Sequence, residues 1–366
     1  MRVVVAPDSF KGSIDAAGAA AALATGWRQA RPADDVLELP LADGGEGTLA
    51  VLAAAAPASR WHIADVSGPG EGRVVAAWLE LARNVAVIEA AVAAGLPLLA
   101  ELIPLTAHSY GVGEQIAQAL DAGARQIDVA LGGSACTDGG SGALAALGAR
   151  FLDADGHDLP RGGGALSGLA SVDLSGLRPP PADGISCLTD VRAPLLGPDG
   201  AAAVFGPQKG ARPGDIELLE AGLARLADLL GCDPDAPGAG AAGGLGYGLA
   251  AAWGARLLPG AERISAIAGL PPALRGADFV ITGEGQYDAT SLGGKVVGAV
   301  LAAAAAALVP VAVVAGRLAS PPPTGVRAVE LTALAGSPQA ATAEVARWLT
   351  LAGRRLATDR GLATPS

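Results

Sequence analysis

The sequence predicts an α/β protein: a mostly parallel sheet with helices on both faces, and a second, smaller α/β domain inserted into the first. Three observations predict it. Short apolar runs recur along the 366 residues, each followed by a glycine-bearing or polar turn and most then by a helical stretch, and that alternation is the pattern of a parallel sheet. The length suits about two domains at roughly 150 residues each. Two regions, 59–103 and 149–205, interrupt the alternation.

The elements follow in order. Val3–Ala6 is the first strand; it stops at Pro7-Asp8 and leads to a helix over Ile14–Ala30 with Ser13 as its cap. Val36–Leu39 is the second strand. The first irregular region carries Trp61, Trp78 and two β runs, around Val74–Leu79 and Val85–Ile88. Ile127–Leu131 resumes the alternation and precedes a helix over Gly140–Leu147. The second irregular region is rich in Gly, Pro and Asp and includes Pro179–Pro181. Phe279–Thr282 and Val311–Ala315 are the last strands, with helices over Val296–Leu308 and Gln339–Ala352. The first domain therefore takes 1–58, 104–148 and 206–366, and the inserted one 59–103 and 149–205.

Charge and composition exclude several classes. With 25 basic against 36 acidic side chains the net charge is −11, which argues against nucleic-acid partners and a polybasic membrane surface. The uncharged stretch Val296–Gly316 is long enough for a span, but its alanine run and Pro310 divide it into a helix and a buried strand. Val3–Ala6 is too short for a signal peptide. Cys136, Cys187 and Cys232 are far apart and form no CxxC pair, so a reduced, cytoplasmic protein is expected.

The basic residues divide unevenly: 22 are arginine and three are lysine, and Lys11, Lys209 and Lys295 each adjoin a glycine. Six segments concentrate polar chemistry. APDSFKGS places Asp8, Ser9 and Lys11 after the first strand, where a lysine and free N–H groups can hold an anion. PLADGGEGT offers Asp43 and Glu46 beside Gly44 and Gly45, a backbone that lets a ligand approach closely; turn formation and helix capping explain it equally well. LGGSACTDGGSG, with Gly132, Gly133, Ser134 and Asp138, suits a phosphate nest or a carboxylate pocket. LTDVRAPLLG and FGPQKGA bring Asp190, Arg192 and Lys209, for which an ion pair is a fair competitor. PGAGAAGGLG matches the dinucleotide pattern at Gly238, Gly240 and Gly243, yet prolines rather than a strand precede it. VITGEGQYDATSLGGK supplies Gly283, Glu284, Gly285, Asp288, Ser291 and Lys295, without the Ser/Thr of a Walker A motif. His62, His108 and His157 have no metal-ligand spacing. Anion-holding lysines, glycine loops and carboxylates are what Mg-dependent phosphoryl transfer needs, because there the protein mainly positions groups and neutralises charge.

DSFKGS, ADGGEGT, YGVGEQI, GGSACTDGG, FGPQKGA, PGAGAAGGLG and ITGEGQYD…GGK, in this order over residues 8–295, resemble the signature runs of bacterial glycerate kinases of the glycerate 2-kinase type. The resemblance implies a flavodoxin-like domain, an active site in the cleft between two domains, ATP as co-substrate, Mg²⁺ as cofactor, D-glycerate as acceptor and 2-phosphoglycerate as product. It departs from the family pattern at Cys136-Thr137, where Thr-Asn is common, and at Gln286, where an arginine often follows GEG. On this reading Lys11, Lys209 and Lys295 contact phosphate or the glycerate carboxylate. Asp190, then Asp43, orients or deprotonates the acceptor hydroxyl, and Glu284 and Asp288 meet Mg²⁺ or ribose. Three alternatives stay open: a kinase giving 3-phosphoglycerate, a dinucleotide-dependent oxidoreductase of a small hydroxy acid, and a non-catalytic binder of small acids. The oligomeric state is open too, a homodimer being one option.

Overall fold

The computed structural model describes residues 1–359. The chain opens with β1 (Arg2–Val5) and β2 (Asp35–Glu38) on either side of a helix, Ala16–Ala30. A meander follows, β3 (Arg60–Ser67), β4 (Arg73–Leu81) and β5 (Val85–Glu89), and then β6 (Gln126–Ala130), β7 (Arg150–Leu152), β8 (Ser171–Asp173), β9 (Ile185–Thr189) and β10 (Arg256–Pro259). β11 (Phe279–Tyr287), β12 (Val311–Leu318) and β13 (Arg327–Glu330) come last.

These strands form two main sheets. One has five strands in the order β13-β12-β11-β1-β2, every pair parallel. Renumbered within that sheet, the order is 2-1-3-4-5, the flavodoxin-like arrangement, whose ligand crevice lies where the chain reverses direction across the sheet, here between β1 and β11. Val3, Val4, Val5 and Phe279, Val280, Ile281 are fully buried, which is why these strands read as unbroken apolar runs rather than alternating ones. The other sheet has six strands in the order β10-β9-β6-β5-β4-β3. Its β5, β6 and β9 are mutually parallel, while β3, β4 and β5 form an antiparallel meander. β7 and β8 make a separate antiparallel pair.

Two compact units result, one of Met1–Asp43, Ala50–Ala55 and the chain from Pro259 onward, the other of Gly44–Leu49 and Ala56–Leu258. This differs from the expected division. Residues 104–148 and 206–258 belong with the inserted unit, which is the longer of the two rather than the smaller. The reason is strand pairing: β6 lies between β5 and β9, so 104–148 cannot leave that sheet. Leu219, Leu223 and Leu226 of the helix Pro213–Leu230 are fully buried in the cores of the same unit.

Three local expectations change as well. The first helix is capped by Asp15, whose carboxylate accepts from Gly18 N at 2.7 Å, and not by Ser13. The expected helix Gln339–Ala352 is two helices, Pro338–Ala343 and Val345–Thr358, broken at Glu344. β11 continues through GEGQY to Tyr287, so that motif is strand rather than loop. The uncharged stretch Val296–Gly316 divides as its sequence suggested, into the helix Val296–Ala307 and β12. Among the described residues no helix is long and apolar enough to cross a membrane.

Within the first unit the helix Ala16–Ala30 packs closely on Val345–Thr358. A Cβ on Gly26 would collide with the Thr350 carbonyl oxygen, and one on Gly353 with the Leu23 carbonyl oxygen. Each helix thus presents a glycine where the other's backbone comes nearest.

Candidate active site

In the first unit, a cavity of about 420 Å³ opens at the carboxyl ends of β1, β11 and β12. Asp8, Ser9, Lys11, Asp43, Glu284, Gly285, Asp288 and Lys295, all among the candidates named from the sequence, line it. The Asp8 amide donates to Gly283 O at 2.9 Å, which extends the pairing of β1 with β11 and fixes the APDSFKGS loop beside GEG. Gly283 itself does not face the cavity. A side chain there would collide with the Val314 carbonyl oxygen of β12, so this glycine serves sheet packing.

The cavity's charges are unevenly satisfied. Burial pushes the Asp8 carboxyl up to about 7, with the Asp43 charge adding to the effect and Lys11 partly opposing it. Burial raises Glu284 too, against a hydrogen bond from Ser291 and the Lys295 charge. Glu284 Oε1 is buried and has no hydrogen-bond partner among the described residues. A buried carboxylate oxygen without a donor is costly, and beside two further carboxylates it is a setting that a hard divalent cation relieves. Glu284, Asp8 and Asp43 therefore fit Mg²⁺. Asp288, the other expected metal ligand, lines the same cavity, and it also accepts from Thr290 N, Thr290 Oγ1 and Gln286 Nε2, capping the turn Ala289–Leu292. Those bonds hold its carboxyl down at about 2.

The second unit gathers the remaining candidates at the carboxyl ends of its parallel strands. Gly44 adopts φ 96°, and a Cβ there would meet the Leu188 carbonyl oxygen at 3.0 Å. Its own carbonyl accepts from Gly132 N at 3.0 Å, and Gly132 packs on Gly45 closely enough that only glycine fits. Gly133 O accepts from Leu96 N. Glu46 is exposed on the same turn, and Asp190 directly follows β9.

Two further residues expected to contact ligand, Lys209 and Asp138, are buried and bonded within the second unit. Lys209 is 3% exposed; its ammonium donates to Cys136 O at 2.5 Å and lies 3.5 Å from Ser134 Oγ. Burial pulls its pKa down, against the pull of Cys136 and Asp138. Asp138 is fully buried and accepts from Ser109 N, Ser109 Oγ, Gly140 N and Gly142 N. Both residues hold the GGSACTDGG loop in shape. The three lysines are consequently not one set: Lys11 and Lys295 line the cavity, and Lys209 is a buried tether. The dinucleotide-like run is packing as well, since a Cβ on Gly243 would collide with Cys136 O, and Gly139 N donates to Gly243 O at 2.9 Å. The Cys136 departure lies in this buried contact, where desolvation pushes the thiol up to about 12.

Sequence reasoning missed three positions. Glu89, at the end of β5 and 3% exposed, accepts from Gly47 N at 3.1 Å and Leu49 N at 3.2 Å, fastening the GEGT turn. A lone carboxylate in the apolar run VAVIEAAVAAG was the available signal. Arg317 and Thr332 line the cavity from β12 and from the segment after β13. Of the latter two, only Arg317, an arginine directly after the run VAVVAG, leaves a trace in the sequence.

Comparison with known proteins agrees with this architecture. The family model described as the glycerate kinase family matches residues 3–359. A glycerate 2-kinase of Escherichia coli (strain K12) is 42% identical over 305 residues, 81% of this chain and 80% of that protein. A glycerate kinase of Bacillus subtilis (strain 168) is 42% identical over 330 residues, 87% of this chain and 85% of that one. A crystal structure assigned as glycerate kinase 2 from Salmonella typhimurium LT2 superposes with a TM-score of 0.82 at 41% identity, covering 98% of this chain and 97% of that one. With a family model matching residues 3–359 and relatives this similar over most of their length, the chain belongs to the glycerate kinase family.

Proposed function

We propose that the protein transfers the γ-phosphoryl group of ATP to the 2-hydroxyl of D-glycerate, giving ADP and 2-phosphoglycerate, with Mg²⁺ as cofactor. One observation carries the reading: the cavity at the β1/β11 reversal sets Lys11 and Lys295, which make no ion pair within 4 Å among the described residues, beside a buried carboxylate cluster whose Glu284 Oε1 has no hydrogen-bond partner among them. The names of the E. coli and B. subtilis relatives support glycerate as acceptor.

In this reading Lys11 and Lys295 hold the donor's phosphates, and Ser9 adds a hydroxyl. Glu284, Asp8 and Asp43 would hold Mg²⁺, which would neutralise charge on the phosphate oxygens. Asp190 takes the acceptor's hydroxyl proton as that oxygen bonds to the γ-phosphorus; the bond from phosphorus to the β,γ-bridging oxygen breaks and ADP leaves with that electron pair.

ADP release is measured with and without D-glycerate, and the product is identified by phosphorus NMR. A 3-phosphate product would replace the regiochemistry and leave the kinase reading in place. Absence of glycerate-dependent ADP at high enzyme concentration would sink it in favour of a non-catalytic binder. Lys11→Ala and Lys295→Ala should each lower kcat/KM for ATP by roughly tenfold or more; turnover near wild type in both variants would remove their assigned role.

A further inference from the structure

The cavity is longer than its charged end. From Asp8, Lys11 and Glu284 at β1 and β11 it runs past Gly316 and Arg317 on β12, and then to a wall of Leu331, Pro338, Ala341 and Val345. One end is ionic and the other apolar, with Arg317 between them. Arg317 pairs in register with Gln286 across the parallel β11–β12 ladder, so the two side chains leave the sheet on the same face. Both are exposed and both line the cavity. Gln286 Nε2 is engaged with Asp288 Oδ2 at 3.2 Å, whereas Arg317 makes no hydrogen bond or ion pair with another described residue. Many other arginines of this chain are differently placed: Arg28, Arg31, Arg60, Arg125 and Arg150 each hold a carboxylate within 3.0 Å.

An unpaired guanidinium on the wall of a cavity whose ends differ in this way calls for an anionic group that continues into an apolar one. We infer that Arg317 binds the phosphate chain of a nucleoside triphosphate and orients it, with the triphosphate over β1 and β11 and the base against Leu331, Pro338, Ala341 and Val345. Thr332 sits at the base end with its hydroxyl donated to Gly316 O at 2.8 Å, so its lone pairs remain available to a base amino group. The inference rests on ATP as the donor proposed above. It adds the direction in which ATP lies and the cation that sets it, which at this site comes from β12 and not from the GEG strand.

The test uses equilibrium binding of ATP and of tripolyphosphate to the full chain by titration calorimetry, independent of turnover. Arg317→Ala should raise the Kd of both ligands roughly tenfold. Adding Gln286→Arg to that variant should recover most of the loss, because it restores a guanidinium one strand away on the same face. Thr342→Trp, an exposed change at the far end, should change ATP affinity at least fivefold in either direction while tripolyphosphate stays within twofold. Kd values within twofold of wild type in Arg317→Ala would overturn the inference, and so would a double variant no better than the single one. A Thr342→Trp chain that leaves ATP unmoved, or that shifts both ligands alike, would overturn the orientation. Wild-type chain that binds ATP but releases no glycerate-dependent ADP would defeat the proposed function and leave this inference standing.

Discussion

Asp8 binds its proton more tightly in the folded chain than any solvated aspartate does, and stability should record it. Its carboxyl stands at about 7 against an ordinary 3.8, through burial first and the Asp43 charge second. A group with a raised folded pKa contributes stability that is complete below the unfolded value and is lost as pH rises through the folded one. In EDTA the wild type should therefore lose stability relative to Asp8→Asn between about pH 4 and 7, by on the order of 4 kcal/mol at most. Urea midpoints of the two proteins at several pH values check this; a constant difference would refute it. Lys209 gives a second expectation. Lys209→Met leaves Cys136 O without its donor and should lower stability by about 1–3 kcal/mol, with ATP affinity unmoved; a loss of ATP affinity without a loss of stability would return Lys209 to phosphate contact. The rarity of lysine drew equal notice to Lys11 and Lys295, which line the cavity, and to Lys209, which is a buried tether, because a tethered ammonium and a cavity-facing one are the same letter. Glu89 could not be assigned its role from sequence at all, since the amides it accepts from lie some 40 residues earlier.

Among the elements, the fully buried strands were the most legible, for burial on both faces leaves a continuous β-branched run. The end of β11 was not, because GEGQY turns polar where it leaves the interior for the cavity, and polarity reads as loop. The break at Glu344 follows no proline or glycine, so nothing in the local sequence marks it. The contact between Ala16–Ala30 and Val345–Thr358 was equally hidden, as glycine inside a helix normally only weakens it. Gly26→Ala should gain up to about 1 kcal/mol in helix propensity, yet the collision with Thr350 O forces the helices apart at a cost of about 1–3 kcal/mol. A net drop in the denaturation midpoint is expected for Gly26→Ala and for Gly353→Ala. A rise in both would mean that the helices separate freely.

At the scale of the whole molecule, the α/β class and the presence of an inserted unit were readable, and the unit boundaries were not. Those depend on β6 pairing with β5 and β9, contacts across roughly 40 and 60 residues that no local pattern encodes. Each unit has its own buried cores, so a ligand confined to one should protect that one. ATP should slow amide exchange in β1, β11 and β12 and leave β5, β6 and β9 near their unliganded rates, as read by hydrogen exchange and mass spectrometry. Equal protection of both sets would contradict a nucleotide site built from the first unit alone. The central position of β1 has a further consequence, for synthesis. Its partner β2 is made almost at once, but its other neighbour, β11, begins only at Phe279. At about 5–20 residues per second, Val3, Val4 and Val5 wait on the order of tens of seconds for that neighbour, while the inserted unit is already complete at Leu258. Every ribosome making this protein therefore carries an apolar segment with an unfilled edge for that interval, a natural target for a holding chaperone.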